Sequence, residues 1–415
     1  MAAQHGRRHR KSVYIRRRIG VGVAALVIIL GVSVVTADFV RASSSTTSTS
    51  STTTVPPTTT TTVSARPLEQ IPPGPRIAQR RLKLIGQYYS NAITPKSVNA
   101  SGTGYVYAQN MVYRKTVSVF NARSGRLVKT ISSAVDLSKF GYPALKGTVL
   151  GAPVEGAFSP DGKDYWITNY SMYGPNMGPE GLDTCSPSSA RAAGDTPDYA
   201  YRIDTATWKI DRVVRVGLVP KFIATSPDGK WVLVTNWCSW DLNLIATSTN
   251  RVVTTIPMPA TPRGIAVDPA SHFAYIAIMG GEDLVKVDLH TGRIVGTIYC
   301  GLNPRTVVLS PDGAYAYVSL NAPGAVTKID LATGRIVGTV HTGTECRSLV
   351  ISTDGSALFV VNYGSATMTM LRARNLAIIE TVNVPSDPIG ITFDPSTAQV
   401  WVSSYSGYIT RFALR

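Results

Sequence analysis

The chain has 415 residues and a formal net charge of +16, from 41 Lys and Arg against 25 Asp and Glu. Nine basic residues and one acidic residue fall within the first 66, so the remaining chain holds 32 basic and 24 acidic residues. The four cysteines lack a CxxC spacing, and the chain has no Ser-His-Asp order, phosphate loop or haem motif. The motifs typical of zinc, hydrolase, nucleotide and haem sites are therefore excluded.

The N-terminus combines a basic segment with an apolar one. Seven Lys or Arg lie within residues 7–18, and an uncharged run of nineteen residues follows at 19–37. Such a run can cross a bilayer, and it exceeds the apolar core of ~7 to 15 residues that cleaved signal peptides have. We predict a cytoplasmic segment at 1–18 and a transmembrane signal-anchor helix at 19–40, with the remaining chain extracytoplasmic. Cleavage after Ala37, which would give a secreted protein, is the alternative.

The next segment is of low complexity. Residues 43–64 are almost entirely Ser, Thr, Val and Pro, a composition that cannot bury enough apolar surface to fold. We predict a disordered Ser/Thr/Pro-rich stalk at 41–78. The stalk is either O-glycosylated, which would extend it, or a plain spacer.

The rest of the chain is repetitive. Positions 42 residues apart form a regular series, which we call the grid. Four of its positions are prolines, Pro220, Pro262, Pro304 and Pro388, and the remaining one is Cys346. Each unit contains four short strand-like segments, and Ser-Pro-Asp-Gly turns occur at 159–162, 226–229 and 310–313. A period of roughly 40 to 45 residues with four strands per unit predicts a β-propeller.

The units can be counted through the whole repetitive region. Blade starts fall near residues 95, 153, 220, 262, 304, 346 and 388. The last unit has only 28 residues, which suffice for three strands. We therefore predict an all-β domain at 79–415, a seven-bladed β-propeller with four-stranded antiparallel blades. Residues 84–89 are predicted to be an N-terminal strand that closes the seventh blade and leaves no unpaired edge.

The ends of three second strands carry a family resemblance. They read Val234-Thr235-Asn236, Ile167-Thr168-Asn169 and Val360-Val361-Asn362. In these motifs the chain resembles the YVTN-family β-propellers over about four-fifths of its length. The resemblance implies the propeller fold. It also implies a surface protein or binding module of some kind, because fold does not fix chemistry.

Two insertions interrupt the grid on one predicted face. About sixteen extra residues lie between Ile131 and Pro153, and about twenty-five between Asn169 and Tyr199. These insertions either form a binding face or cap the channel entrance. Four cysteines are predicted on the same face, and we expect the neighbouring disulfides Cys185 with Cys238 and Cys300 with Cys346.

Cationic and aromatic residues supply the candidate ligand-binding positions. The residue after the grid position is cationic in five blades, at Lys96, Lys221, Arg263, Arg305 and Arg347. Their heads would line the mouth of the channel and attract anions, or else their stems would simply pack against the next blade. Aromatic residues predicted on this face would stack against sugars, or else they would simply pack between loops. They are Tyr170, Tyr173, Trp237, Trp240, Tyr363 and Tyr405.

These observations predict a membrane-anchored recognition module for a cell-envelope glycan, an anionic ligand or a protein partner. No cofactor, metal or nucleic acid is expected. The first alternative is a lactonase- or lyase-like enzyme that uses the central channel, where Glu155 and His341 would be the groups to test. A purely structural surface protein is the second.

Overall fold

The structure, a computed structural model, describes residues 76–170 and 185–415. The predicted transmembrane helix, most of the predicted stalk and Tyr173 lie outside the described residues. In the described part, no helix is both long enough and apolar enough to span a membrane. A single 3-10 turn at Ile77–Gln79 precedes the first strand.

The described residues form seven four-stranded antiparallel sheets and one small hairpin. The first strand is β1 (Leu82–Tyr89). Blade 1 then contains β2 (Pro95–Ala100), β3 (Tyr105–Asn110), β4 (Thr116–Asn121) and β5 (Leu127–Ser132). The small hairpin consists of β6 (Ala134–Asp136) and β7 (Thr148–Leu150), with a 3-10 turn at Leu137–Phe140 between them. Blade 2 contains β8 (Ala152–Phe158), β9 (Asp164–Tyr170), β10 (Tyr199–Asp204) and β11 (Lys209–Arg215), and the helix α1 (Pro187–Ala193) precedes β10.

The later blades follow the same plan. Blade 3 contains β12 (Pro220–Thr225), β13 (Trp231–Asn236), β14 (Asp241–Ala246) and β15 (Arg251–Pro257). Blade 4 contains β16 (Pro262–Val267), β17 (Phe273–Ile278), β18 (Asp283–Asp288) and β19 (Arg293–Tyr299). Blade 5 contains β20 (Pro304–Leu309), β21 (Tyr315–Leu320), β22 (Ala325–Asp330) and β23 (Arg335–His341). Blade 6 contains β24 (Cys346–Ile351), β25 (Ala357–Asn362), β26 (Thr367–Arg372) and β27 (Ile378–Asn383). Blade 7 contains β28 (Pro388–Asp394), β29 (Gln399–Ser404) and β30 (Tyr408–Leu414).

The ring closes through its N-terminal strand. The strand β1 pairs antiparallel with β30, from Leu82 opposite Leu414 to Tyr89 opposite Tyr408. Blade 7 therefore has four strands, in the order β1-β30-β29-β28. The sequence prediction of seven four-stranded blades closed by an upstream strand is confirmed.

The Ser-Pro-Asp-Gly turns join the first and second strands of their blades. In blade 5 the amide of Tyr315 donates to Ser310 Oγ at 2.9 Å, and the amide of Ala314 donates to Asp312 Oδ1 at 3.0 Å. The following Gly313 has a φ of 71°, a conformation that an L side chain rarely adopts. The turn is therefore fixed by its own side chains.

Hydrophobic clusters fill the spaces between blades. Among the described residues, each of the seven blade interfaces has its own buried cluster. The interface of blades 1 and 2 is rich in tyrosine and includes Tyr107, Tyr165 and Tyr201, whereas Phe120 and Trp401 fill the junction of blades 7 and 1. Burial on both faces explains why the strands are nearly continuous apolar runs.

Both insertions emerge on the face where the inner strands begin. The small hairpin connects an outer strand to the next inner strand, and α1 lies in the connection from β9 to β10. Because the strands of a blade alternate in direction, second and fourth strands end where the first strand begins. We call this side of the propeller the mouth face.

Candidate functional site

A β-bulge gives each inner strand an extra residue at the mouth face. In blade 5, Pro304 lies opposite Leu320 and Thr306 lies opposite Ser319, which leaves Arg305 without a partner in the ladder. The same irregularity follows Pro95, Pro220, Pro262 and Cys346. A bulge re-aims a side chain relative to the regular strand. It places the five cations at equivalent positions around the channel.

These five residues, Lys96, Lys221, Arg263, Arg305 and Arg347, form a group that we call the cationic ring. Lys96 interacts electrostatically with Arg263 and Arg305, and Arg305 also interacts with Arg263 and Arg347. Lys96, Lys221, Arg263 and Arg305 are buried, and the side chain of Arg347 is 21% exposed. The structure therefore brings the predicted cations together instead of spreading them over the outer surface.

The two lysines of the ring have different partners. The Nζ of Lys96 in blade 1 forms a buried ion pair with Glu155 Oε1 in blade 2. The Nζ of Lys221 lies 4.4 Å from the ring centroid of Tyr170 and 3.3 Å from its hydroxyl. Lys96 thus contacts a carboxylate, and Lys221 contacts an aromatic ring.

Two of the three arginines also have identified contacts. Arg263 Nη1 donates to the carbonyl oxygen of Lys221 at 2.6 Å. The guanidinium of Arg347 lies 3.9 Å above the ring of Tyr363, and its Nη2 is 3.7 Å from Glu345 Oε2. These contacts hold the guanidinium groups in place around the channel.

Arg305 is the exception in this ring. Its Nε is fully enclosed and makes no hydrogen bond with any residue of 76–170 or 185–415. Burial, with repulsion from Arg263 and Arg347, lowers the pKa of Arg305 well below its ordinary value. Tyr405 and Glu155 act in the opposite direction without reversing the shift, and guanidinium groups keep their charge in proteins, so Arg305 is a buried cation that its cationic neighbours repel.

Tyr405 of blade 7 adds a phenol to the ring. Its hydroxyl interacts electrostatically with Arg305, Arg263 and Arg347, yet burial outweighs these cations and raises the pKa of Tyr405. The hydroxyl therefore stays protonated. It is a hydrogen-bond donor adjacent to a buried guanidinium.

The predicted aromatic positions divide into three groups. Tyr170, Trp237 and Tyr405 share one hydrophobic cluster at the mouth face. Tyr363 lies under Arg347, and burial beside Asp387 raises its pKa to about 12. Trp240 is not in this cluster; it occupies the turn between β13 and β14 with a φ of 53°.

The cysteine prediction is half right. Cys185 and Cys238 form a disulfide with a Cα–Cα distance of 5.2 Å, which ties the blade 2 insertion to blade 3. Cys300 and Cys346 are free and buried, so the expected second disulfide is wrong. Cys300 packs between blades 4 and 5 and Cys346 between blades 5 and 6, so blade 5 separates the two thiols.

The donor groups at the mouth do not fit a haem or a metal ion. In the described part of the chain, no group of three His, Cys, Asp or Glu could hold a metal. His272 and His290 lie in turns on the opposite face, and His341 is exposed, with Nδ1 3.1 Å from the carbonyl oxygen of Pro323. The ring itself offers ammonium, guanidinium and phenol groups, which bind anions better than metals.

The sequence did not reveal two features that build the site. The first is the pairing of Lys96 with Glu155, because Glu155 lies one position beyond the cationic repeat position and only the packing of adjacent blades brings it to Lys96. The second is Gly264, where an added Cβ would lie 2.7 Å from the carbonyl oxygen of Arg305. Only glycine allows β16 and β20 to approach this closely, and this approach brings Arg263 near Arg305.

Comparison with known proteins supports the propeller fold. A family model described as the cytochrome D1 heme domain matches residues 305–389, about a fifth of the chain. The match supports a propeller without showing the YVTN family. No curated protein gives a significant match.

Solved structures resemble the chain in fold. One of them, hydrazine synthase of Kuenenia stuttgartiensis, aligns with a TM-score of 0.60 and 16% identity, over 78% of this chain and 96% of that chain. In total, 1758 solved chains match significantly, and a fold shared so widely does not specify a chemistry. The chain is therefore a seven-bladed β-propeller, similar to the cytochrome D1 heme domain over part of its length.

Proposed function

We propose that the protein is a recognition module that binds an anionic ligand at the cationic ring. The observation that carries the proposal is Arg305, a buried guanidinium whose Nε has no hydrogen-bond partner among the described residues and which is repelled by Arg263 and Arg347. An uncompensated buried charge destabilises a protein by several kcal/mol, which an incoming anion would offset. Carboxylates and phosphates match the planar donor fork of a guanidinium.

The cationic ring would both attract anions and hold a specific anion in place. Converging cations in a low-dielectric channel raise the local concentration of anions, and the Tyr405 hydroxyl offers a further donor. Trp237, partly buried in the cluster beside the channel, would contact the apolar part of a larger ligand such as an acidic glycan. We include such glycans within the proposed ligand class.

We also propose an extracytoplasmic position for the propeller. Support comes from the basic and apolar N-terminal segments and from the disulfide between Cys185 and Cys238, since disulfides persist in oxidising compartments. In this arrangement the N-terminal helix would anchor the protein in the membrane. The ligand would then be a component of the cell envelope or of its surroundings.

Isothermal titration calorimetry tests the proposed binding. Full-length protein in a mild detergent is titrated with inorganic phosphate, citrate and oligogalacturonate. We expect at least one of them to bind, and Arg305→Met to weaken that binding about tenfold or more, because a charged hydrogen bond contributes roughly 1.5 to 3 kcal/mol.

The matched control is Arg335→Met, which removes the same charge from an exposed position in the same blade. This variant should bind like the wild type. Equal affinity in the wild type and Arg305→Met, or no binding of any of the three anions, would contradict the proposal.

A further inference from the structure

The two insertions in the repeat region meet at a cleft on the mouth face, which we call the insertion cleft. Residues 142–145, between β6 and β7, form one wall, and Thr196 and Pro197, between α1 and β10, form the other. Tyr199 and Arg215 of blade 2 complete the lining. The cleft has a volume of about 400 Å³, within the range of about 300 to 1,000 Å³ that small-molecule sites occupy. None of these residues belongs to the cationic ring.

Two nearly perpendicular tyrosine rings line the insertion cleft. The ring centroids of Tyr142 and Tyr199 lie 5.2 Å apart, with an angle of 76° between the ring planes. The Tyr142 hydroxyl accepts a hydrogen bond from the backbone amide of Arg215, with an N–O distance of 2.8 Å. Tyr199 is only 2% exposed and belongs to the hydrophobic cluster between blades 1 and 2. These contacts hold both rings in place before any ligand arrives, which lowers the entropy cost of binding.

Arg215 places a positive charge beside these rings. It lies directly opposite Tyr199 in the ladder of β10 and β11, and residues that face each other in an antiparallel pair project from the same face of the sheet. The side chain of Arg215 therefore lies on the Tyr199 side of blade 2. Among the described residues that line the cleft, Arg215 is the one charged residue, and it is exposed. A ligand against the rings can thus pair one anionic group with this guanidinium.

We propose that the insertion cleft binds a small aromatic carboxylic acid, whose rings pack against Tyr142 and Tyr199 and whose carboxylate pairs with Arg215. Aromatic rings in edge-to-face or offset contact stabilise a complex beyond the burial of their area. A guanidinium matches a carboxylate with two parallel hydrogen bonds. This inference does not rest on the proposed function, because the cationic ring takes no part in it.

The lining of the cleft favours this ligand class over others. Pro143, Ala144, Leu145 and Pro197 add apolar surface around the two rings. A sugar in this cleft would leave most of its hydroxyl groups without partners, and an unpaired buried polar group is costly. A polyanion would find a single guanidinium for several charges. An aromatic acid with one charge matches both the apolar walls and the one cation of the lining.

Isothermal titration calorimetry with three probes tests the inference. Full-length protein in a mild detergent is titrated with 2-naphthoate, with 2-naphthamide, which has the same rings without the charge, and with acetate, which has the charge without the rings. We expect naphthoate to bind and acetate to give no measurable heat. The amide should bind about threefold to fivefold more weakly, because an ion pair at an exposed position contributes a modest part of the affinity. Equal affinity for naphthoate and naphthamide, or no binding of naphthoate, would overturn the inference.

Variants show whether the probe binds in the cleft. Ala144→Trp fills the cleft from an exposed position and should weaken naphthoate binding about tenfold or more, because a site buries most of its ligand's surface. Lys146→Trp, exposed in the same loop, should bind like the wild type. Arg215→Gln should lower the affinity for naphthoate to that for naphthamide, and Arg212→Gln, exposed on the same strand, should leave it unchanged. Unchanged affinity in Ala144→Trp or in Arg215→Gln would contradict the proposed site.

The position of a brominated probe separates the two proposals, even if a variant fails to fold. Crystals of the wild-type protein are soaked in 6-bromo-2-naphthoate, and anomalous diffraction locates the bromine. We expect bromine in the insertion cleft, beside Tyr142 and Tyr199. Bromine at the cationic ring alone would overturn this inference and leave the anion site standing. Bromine in the cleft, with phosphate, citrate and oligogalacturonate all failing to bind, would support the cleft and count against the anion site.

Discussion

Arg411 on β30 donates a hydrogen bond to the carbonyl oxygen of Ser124, with an Nη2–O distance of 3.1 Å, and so connects blade 7 to blade 1. Its guanidinium also lies 5.2 Å from the ring centroid of Trp401. A Cβ added at Gly125 would collide with this guanidinium, and Gly125 has a φ of 71°. The closure of the ring therefore has a side-chain contact in addition to the pairing of β1 with β30.

We predict that Arg411→Leu destabilises the propeller by about 1–2 kcal/mol, the combined contribution of its hydrogen bonds and its cation–π contact. Urea unfolding followed by tryptophan fluorescence measures the change. Arg123→Leu is the control, because only the backbone of Arg123 takes part in the contact. Equal stability of both variants and the wild type would show that strand pairing alone closes the ring.

Arg305→Met should stabilise the ligand-free protein while it removes anion binding. Replacing this buried cation, whose Nε is unpaired within the described residues, by an apolar side chain of similar length removes the desolvation penalty and the repulsion from Arg263 and Arg347. We expect a gain of about 1–4 kcal/mol in buffer without phosphate, measured by urea unfolding. A loss of stability would mean that the guanidinium is compensated within the protein.

The cysteine states predict a definite thiol count. Cys300 and Cys346 are buried and free, and burial raises the pKa of both thiols, so neither should react with Ellman's reagent in the folded protein. Denaturation should release two thiols, and denaturation with reductant should release all four. A count of zero in the denatured, unreduced protein would restore the Cys300–Cys346 disulfide.

Alkaline pH should destabilise the fold partly through Cys346. Burial raises the pKa of its thiol from 9.0 to about 12, so the folded state keeps a proton that the unfolded state loses. The unfolded state binds fewer protons between these values, and stability therefore falls as pH rises above about 9, by up to about 1.4 kcal/mol per pH unit. Urea unfolding at pH 8 to 11 should show a shallower decline for Cys346→Val. Parallel declines in the two proteins would refute the role of this thiol.

The blade architecture could be predicted from the sequence because a recurring residue stands at the start of the inner strand. The grid prolines begin the inner strands β12, β16, β20 and β28, and Cys346 begins β24. The repeat spacing thus reflects strand starts directly. The closing strand followed from the missing fourth strand of the last unit, since an unpaired edge is unfavourable.

The site could be predicted only in part. The five cations share a repeat position, so the sequence predicted that they lie together. Whether each long side chain packs against the next blade or projects into the channel depends on the β-bulge, and these residues carry no sequence signature of a bulge. The second disulfide was predicted because Cys300 and Cys346 both lie at or near the start of an inner strand. The two thiols nevertheless pack in different blade interfaces, which the sequence spacing does not show. The Lys96–Glu155 pair joins two blades with different repeat positions, and only the packed ring brings them together.

The location of a bound heavy anion shows whether Arg305 binds anions. Crystals of the protein are soaked in tungstate, and anomalous diffraction locates the metal atoms. We predict a tungstate in the channel mouth, within hydrogen-bond distance of the Arg305 guanidinium, that is absent in Arg305→Met crystals. Tungstate bound only at exposed lysines and arginines, with the cationic ring empty at saturating concentration, would contradict it.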